Sequence, residues 1–251
     1  MDAGPFSVHH RPVIMDDENS ALVRAAVRNN AEWCDAVCRA HGLAGEFGAG
    51  AWSSTRRTPP LYPDAVSLTP QASAADLVAR IDTASPGCSV KDSFACLDLE
   101  PLGFETLFEA QWIHRPAGKA VSGASARDVT WGPLTDAGSL PEWESAWNDG
   151  DESEGLFRPE LLGGDSTFLA ARSEGRIVAG AIASRSASVV GISNLFTSAD
   201  EESAWAGCLP EVARLWPGLP VVGYESGESL DAAVRQGFTP IGPLRVWLHT
   251  A

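Results

Sequence analysis

Near the end of the chain, Tyr224-Glu225-Ser226-Gly227-Glu228 sets two carboxylates beside a phenol. A carboxylate takes a proton from an amine and a phenol returns one to a leaving group, so these residue types suit general acid–base chemistry. They equally suit a polar strand end, with Ser226 or Ser229 capping the helix that follows. Ser193 and Asn194 interrupt an apolar run, and a buried polar pair needs partners: either a ligand or a distorted strand. Lys91-Asp92-Ser93 is a third polar cluster, open to the same two readings. Cys34, Cys38 and His41 share a helix face at i, i+4 and i+7, but no fourth zinc ligand is evident and small thiols are usual core residues. We expect no metal there, nor at His9-His10.

The elements that must position these residues come in a repeated order. Gly103-Phe104 leads to Trp112-Ile113-His114, and Gly237-Phe238 leads to Trp247-Leu248-His249. Upstream of the second ending lie a buried strand (189–197), a helix with Ser198 or Asp200 as N-cap, a short strand (219–225) and a short helix closed by Gly237. Upstream of the first lie a strand (62–69), a helix (73–84), a strand (88–94) and a short helix (96–103). Residues 115–128, small and polar without apolar periodicity, read as a linker. After it come a strand, a helix and a hairpin turned at Ser173-Glu174-Gly175-Arg176. Ahead of the first unit lie one helix (21–42) and an Arg- and Pro-rich stretch, with no hairpin expected there.

Composition narrows the partners. The 251 residues carry a net charge of −15 and only two lysines, Lys91 and Lys119, which argues against nucleic acid. Apolar residues make up 44%, enough for a core, and no apolar run reaches the length of a membrane span. No signal peptide is evident, and five cysteines are an odd number for a disulfide framework, so a cytoplasmic protein with reduced thiols is expected.

The run "FLAARSEGRIVAGAIASRS", together with "AAVRQGFTPIG", resembles the second and third strands and the fourth helix and following strand of the GCN5-related N-acetyltransferase (GNAT) superfamily. The resemblance covers most of 128–251. It implies an α/β (α+β) fold of two tandem GNAT-like lobes, each a mixed, mainly antiparallel sheet flanked by helices. The first lobe, 1–115, is the eroded one; 116–127 is the linker and 128–251 the second lobe. The implied activity is transfer of an acyl group from a thioester donor, acyl-CoA (acetyl-CoA in the family's usual form) or an acyl carrier protein, to a small-molecule amine. Its implied place is a split between the fourth and fifth strands. Backbone groups of Leu195, Phe196 and Thr197, with Ser198 beyond them, would hold the donor. Glu225 would serve as base, Tyr224 as acid, and Asn194 would lie beside them. Where the family has a Gly-rich phosphate loop this chain has Asp200-Glu201-Glu202, and where it often has a tyrosine this chain has Ala233. A carrier protein needs no pyrophosphate cradle but wants a basic patch, for which Arg56-Arg57 is the available pair. A non-catalytic GNAT-like binding or scaffold protein is the competing class.

Overall fold

The computed structural model describes residues 17–121, 128–151 and 154–250; His9-His10 and residues 122–127 of the expected linker lie outside them. The chain is arranged around one helix, α1 (Asp17–Ala40). Val23, Val27, Ala31, Cys34, Val37 and Cys38 recur at helical spacing and are at most 1% exposed. They fall in two separate clusters. Val23 and Val27 pack with Trp112, Val222 and Leu244. Further along, Cys34 and Val37 join a cluster holding Trp52 and Tyr62 from the first half and Trp143, Phe157 and Phe168 from the second.

The first half continues as β1 (Gly45–Phe47), β2 (Ala51–Ser54), β3 (Ala65–Ser67), α2 (Ala74–Val78), β4 (Ser89–Asp92) and β5 (Phe104–Arg115). The second half is β6 (Thr130–Pro133), α3 (Leu140–Trp147), β7 (Ser166–Ser173), β8 (Arg176–Arg185), β9 (Val190–Thr197), α4 (Glu201–Leu215), β10 (Val221–Glu225), α5 (Gly227–Arg235) and β11 (Thr239–His249). The strands form a single, mostly antiparallel sheet in the order β1-β2-β3-β4-β11-β5-β10-β9-β8-β7-β6. This is the expected mixed α/β class.

The strand order holds an exchange that the sequence did not announce. β5, the last strand of the first half, pairs with β10, while β11 inserts beside β4. The two closing strands also pair with each other, from Thr239↔His114 to His249↔Phe104. Trp112 and Trp247 are buried, as their apolar surroundings predicted.

Local chemistry explains where expectation and structure agree or part. Glu174 and Gly175 both take positive φ (49° and 82°), the two-residue turn that matches strand twist, so the β7–β8 hairpin falls where it was read. The first-half helix expected over 73–84 shrinks to Ala74–Val78. Ser73 caps its start, and Asp82 captures the amides of Ala84 and Ser85, turning the chain away. The helix expected over 96–103 is one 3₁₀ turn, Glu100–Leu102, closed by Gly103 at φ 84°. The stretch after α1 does contain a hairpin: β1 and β2 pair from Gly45↔Ser54 to Phe47↔Trp52. Arg57, expected to be available for docking, is bonded to the buried carboxylate of Asp64 and the carbonyls of Pro86 and Gly87.

Candidate active site

β9 and β10 run parallel for only two register pairs, Val221↔Val190 and Val222↔Gly191, and then separate. Gly223 marks the parting: a Cβ there would lie 3.0 Å from the carbonyl oxygen of Ile192. Beyond it β9 bulges. Gly180 faces Phe196 and Ile182 faces Ser193, so three steps on β9 match two on β8. Asn194 absorbs the extra residue at φ 52°, a conformation asparagine tolerates better than most side chains. The interrupted apolar run is thus a bulge, and Ser193 through Thr197 are half-buried. Their edge away from β8 has no strand partner among the described residues. Phe196 fixes the segment from behind, edge-on to Trp143 with ring centroids 5.1 Å apart.

Tyr224 and Glu225 sit at the end of β10, opposite Trp112 and Gln111. As strand neighbours they turn to opposite faces. Tyr224 points under α1, where its ring meets Trp112 edge-on and its hydroxyl accepts from Lys91 Nζ at 3.3 Å. Glu225 points toward α4. Burial, and next the negative charge of Glu201, push its carboxyl up to about 7. No hydrogen-bond partner holds it among the described residues. A base with a value near neutrality exchanges protons readily at physiological pH.

The residues at the start of α4 do not fit a CoA pyrophosphate. Three of the amides around the place of a phosphate are already taken: Ser198 N donates to Val178 O, Ala199 N to Thr197 Oγ1, and Ser203 N to Asp200 Oδ1. Asp200 is therefore the N-cap, and the amide and hydroxyl of Ser203 hold its carboxyl below the usual range. Glu201 accepts from Ser229 and Glu202 pairs with Arg235, so both acids tie α4 to α5. Ser226 occupies the N-cap place of α5 without a side-chain bond. The three carboxylates repel the anion that a helix start otherwise attracts, and fewer amides are left to hold it.

The corresponding parting in the first half is stitched shut. β3 and β4 also pair in parallel only twice, at Ala65↔Val90 and Val66↔Lys91. Beyond that, Ser67 Oγ accepts from Ser93 N, and Asp92 accepts from the amides of Phe94 and Leu97. Lys91 instead reaches across the sheet to Tyr224 and to Asn30 Oδ1 (2.8 Å). Of the zinc-spaced residues, Cys34 and Cys38 are core side chains and His41 Nε2 lies 2.8 Å from Leu156 O.

No known-family profile matches the chain, and no curated protein matches it in sequence. Solved structures do. A GCN5-related N-acetyltransferase from Kribbella flavida is 13% identical, with a TM-score of 0.58 over 90% of this chain and 96% of its own. A GNAT-family protein from Novosphingobium aromaticivorans is 13% identical, with a TM-score of 0.59 over 90% and 99%. A Drosophila protein is 12% identical, with a TM-score of 0.53 over 95% and 97%. The fold is thus shared, over nearly the whole chain, with these structures, the first two of which are described as GNAT proteins.

Sequence reasoning passed over Asn29 and Asn30. Asn29 lies flat on β9, where a Cβ on Gly191 would come within 1.8 Å of its Oδ1, and its Nδ2 donates to Ser184 O at 2.8 Å. The available signal was two adjacent amides, of which Asn29 falls on the face that Ala26 and Trp33 also occupy.

Proposed function

We propose that this protein is an N-acyltransferase that moves an acyl group from a thioester to a small-molecule amine at the split between β9 and β10. The observation that carries this reading is Glu225, a half-buried carboxyl raised to about 7 and without a hydrogen-bond partner among the described residues, just beyond the point where the two strands part. In this reading Glu225 takes the amine's proton as nitrogen attacks the thioester carbon. The C–S bond then breaks, and the proton passes to the departing thiolate. The unpaired edge of Leu195, Phe196 and Thr197 offers backbone groups to the donor's amide-bearing arm, while Ser198 has already spent its amide. Asn194 shapes the groove by its bulge.

The donor's handle follows from the misfit at α4: a thioester not anchored by its pyrophosphate, such as one on a carrier protein, suits these residues better than CoA. We read the chain as a tandem duplication, 1–115 and 128–251 joined by 116–127, whose first lobe has lost its split. The matching parallel pairs and matching closing strands of the two halves support this. A cytoplasmic location agrees with the composition, and among the described residues no helix is long and apolar enough to cross a membrane. The test is incubation with acetyl-, malonyl- and longer acyl-CoA and with acyl-carrier thioesters, each with an amine mixture, read by mass spectrometry. Transfer that disappears in Glu225→Gln supports the reading. No transfer from any thioester would return the chain to the non-catalytic class.

A further inference from the structure

Lys91 is only 5% exposed, and its two hydrogen-bond partners are neutral: the amide oxygen of Asn30 and the hydroxyl of Tyr224. Among the described residues no carboxylate pairs with it. A buried lysine ordinarily has an anion beside it, because an uncompensated charge in the interior is costly. The surrounding groups are rich in donors. Asn30 Oδ1 accepts from Lys91 and, at 3.9 Å, from Cys34 Sγ, which fixes the amide's orientation and leaves its Nδ2 to donate elsewhere. Tyr224, having accepted from Lys91, still has its own proton to give. Unspent donors and a buried ammonium, with no carboxylate, make a seat for an anion.

The seat adjoins the split. A void of about 10 Å³, room for about one water, lies between Asn30, Trp33 and Trp112 on one side and Ser193 and Gly223 on the other. Through Asn29, Trp33 and Ser184 it adjoins a crevice of about 980 Å³ beside α1, whose rim carries the ion pairs Arg28–Glu32, Arg39–Asp35 and Arg185–Asp165 and so offers the zwitterion of an amino acid both signs of charge. Asn29, resting on Gly191, stands between the two. A ligand entering from the crevice must turn Asn29 aside. It would then meet Asn30 with one end, where Lys91 Nζ stands directly behind the amide, and the opening between Ser193 and Gly223 with the other.

We propose that the acceptor is an amine that also carries a carboxylate, of the amino-acid class, with its carboxylate against Lys91 and Asn30 and its amine at the opening of the split. This rests on the acyltransferase reading, but its test needs no donor. Each of the twenty common L-amino acids is compared with its decarboxylated amine for its effect on the melting temperature. At a hundredfold excess over Kd the fitting amino acid raises the melting temperature by about 5–10 °C, and its decarboxylated partner does not. Equal shifts from both, or none from any amino acid, overturn the proposal. Lys91→Met removes the shift; because that variant also alters the core, Asn30→Asp is the second probe. It sets a carboxylate against Lys91, so it raises the melting temperature of the free protein and abolishes the ligand shift. A lower melting temperature in Asn30→Asp, or a retained shift, overturns the proposal as well. A shift without acyl transfer from any thioester would remove the acyltransferase reading alone. Transfer to amines that lack a carboxylate would remove this inference alone.

Discussion

Glu225 joins stability and chemistry in one group. Its folded value of about 7 lies above the ordinary 4.5, so between those values the folded chain holds a proton that the unfolded chain has released. Stability therefore falls as pH rises through this window, and the cost is complete above about 7. The full shift corresponds to about 3 kcal/mol; with the side chain partly open to solvent, about 1–2 kcal/mol is expected. Glu225→Gln, neutral at every pH, should gain that amount near pH 8 and nothing near pH 4 in urea titrations. An equal gain at both would show that this carboxyl does not titrate in the window. The same group sets the rate: turnover should rise with pH as the base form appears, and Glu225→Gln should lose at least about tenfold, roughly 1.4 kcal/mol of barrier. Glu201→Gln removes the second cause of the raised value, so the rising limb of the pH–rate profile should move to lower pH. Tyr224→Phe is the companion variant. Its hydroxyl faces Lys91 under α1, so a larger effect on acceptor KM than on kcat is expected, and a pure kcat loss would restore the acid role expected from sequence.

At the scale of elements, the packing of α1 against β9 depends on an absent side chain. Gly191 sits under Asn29, whose Oδ1 would be 1.8 Å and whose Cγ 2.9 Å from an added Cβ. Gly191→Ala must push α1 away from the sheet or turn Asn29, and a loss of about 1–3 kcal/mol is expected. Asn29→Ala alone leaves Ser184 O without its donor and should cost about 1 kcal/mol. Together the two changes should cost less than their sum by at least about 1 kcal/mol, read from a double-mutant cycle in urea. Strict additivity would mean that another group bears the clash. This contact also shows what the sequence could not convey. The β7–β8 hairpin and α4 were legible because their signals are local: positive-φ turn residues, and an N-cap with acids behind it; the polar pair at Ser193-Asn194 left a bulge and a ligand site equally open. Glu225 was readable as the polar end of a short apolar strand, which left a plain strand end and a base as its two readings. The place of α1 was not, because a helix apolar over much of its girth states that it is covered without stating by what. Lys91 was readable as a polar residue at a strand end, but its reach to Tyr224 crosses two intervening strands and has no sequence signal.

At the scale of the molecule, the exchange of closing strands decides how the two halves depend on each other. β5 lies between β10 and β11, both from the second half, and β11 lies between β4 and β5, both from the first. Neither half can leave without stripping ladder hydrogen bonds from both sides of a twelve-residue and an eleven-residue strand and exposing Trp112 and Trp247. Buried backbone groups that lose partners are costly, and truncating either tryptophan alone should cost about 3–5 kcal/mol. Two consequences follow that separate lobes joined by a tether would not share. Unfolding in urea should be a single transition, with Trp112→Ala and Trp247→Ala each moving all of it and not one half of it. A protease site placed within 122–127 and then cut should leave both fragments in one peak on size-exclusion chromatography, parting only in denaturant. Separation of the cut fragments in native buffer, or two transitions of which each tryptophan variant moves only one, would show that the strand exchange does not hold the halves together.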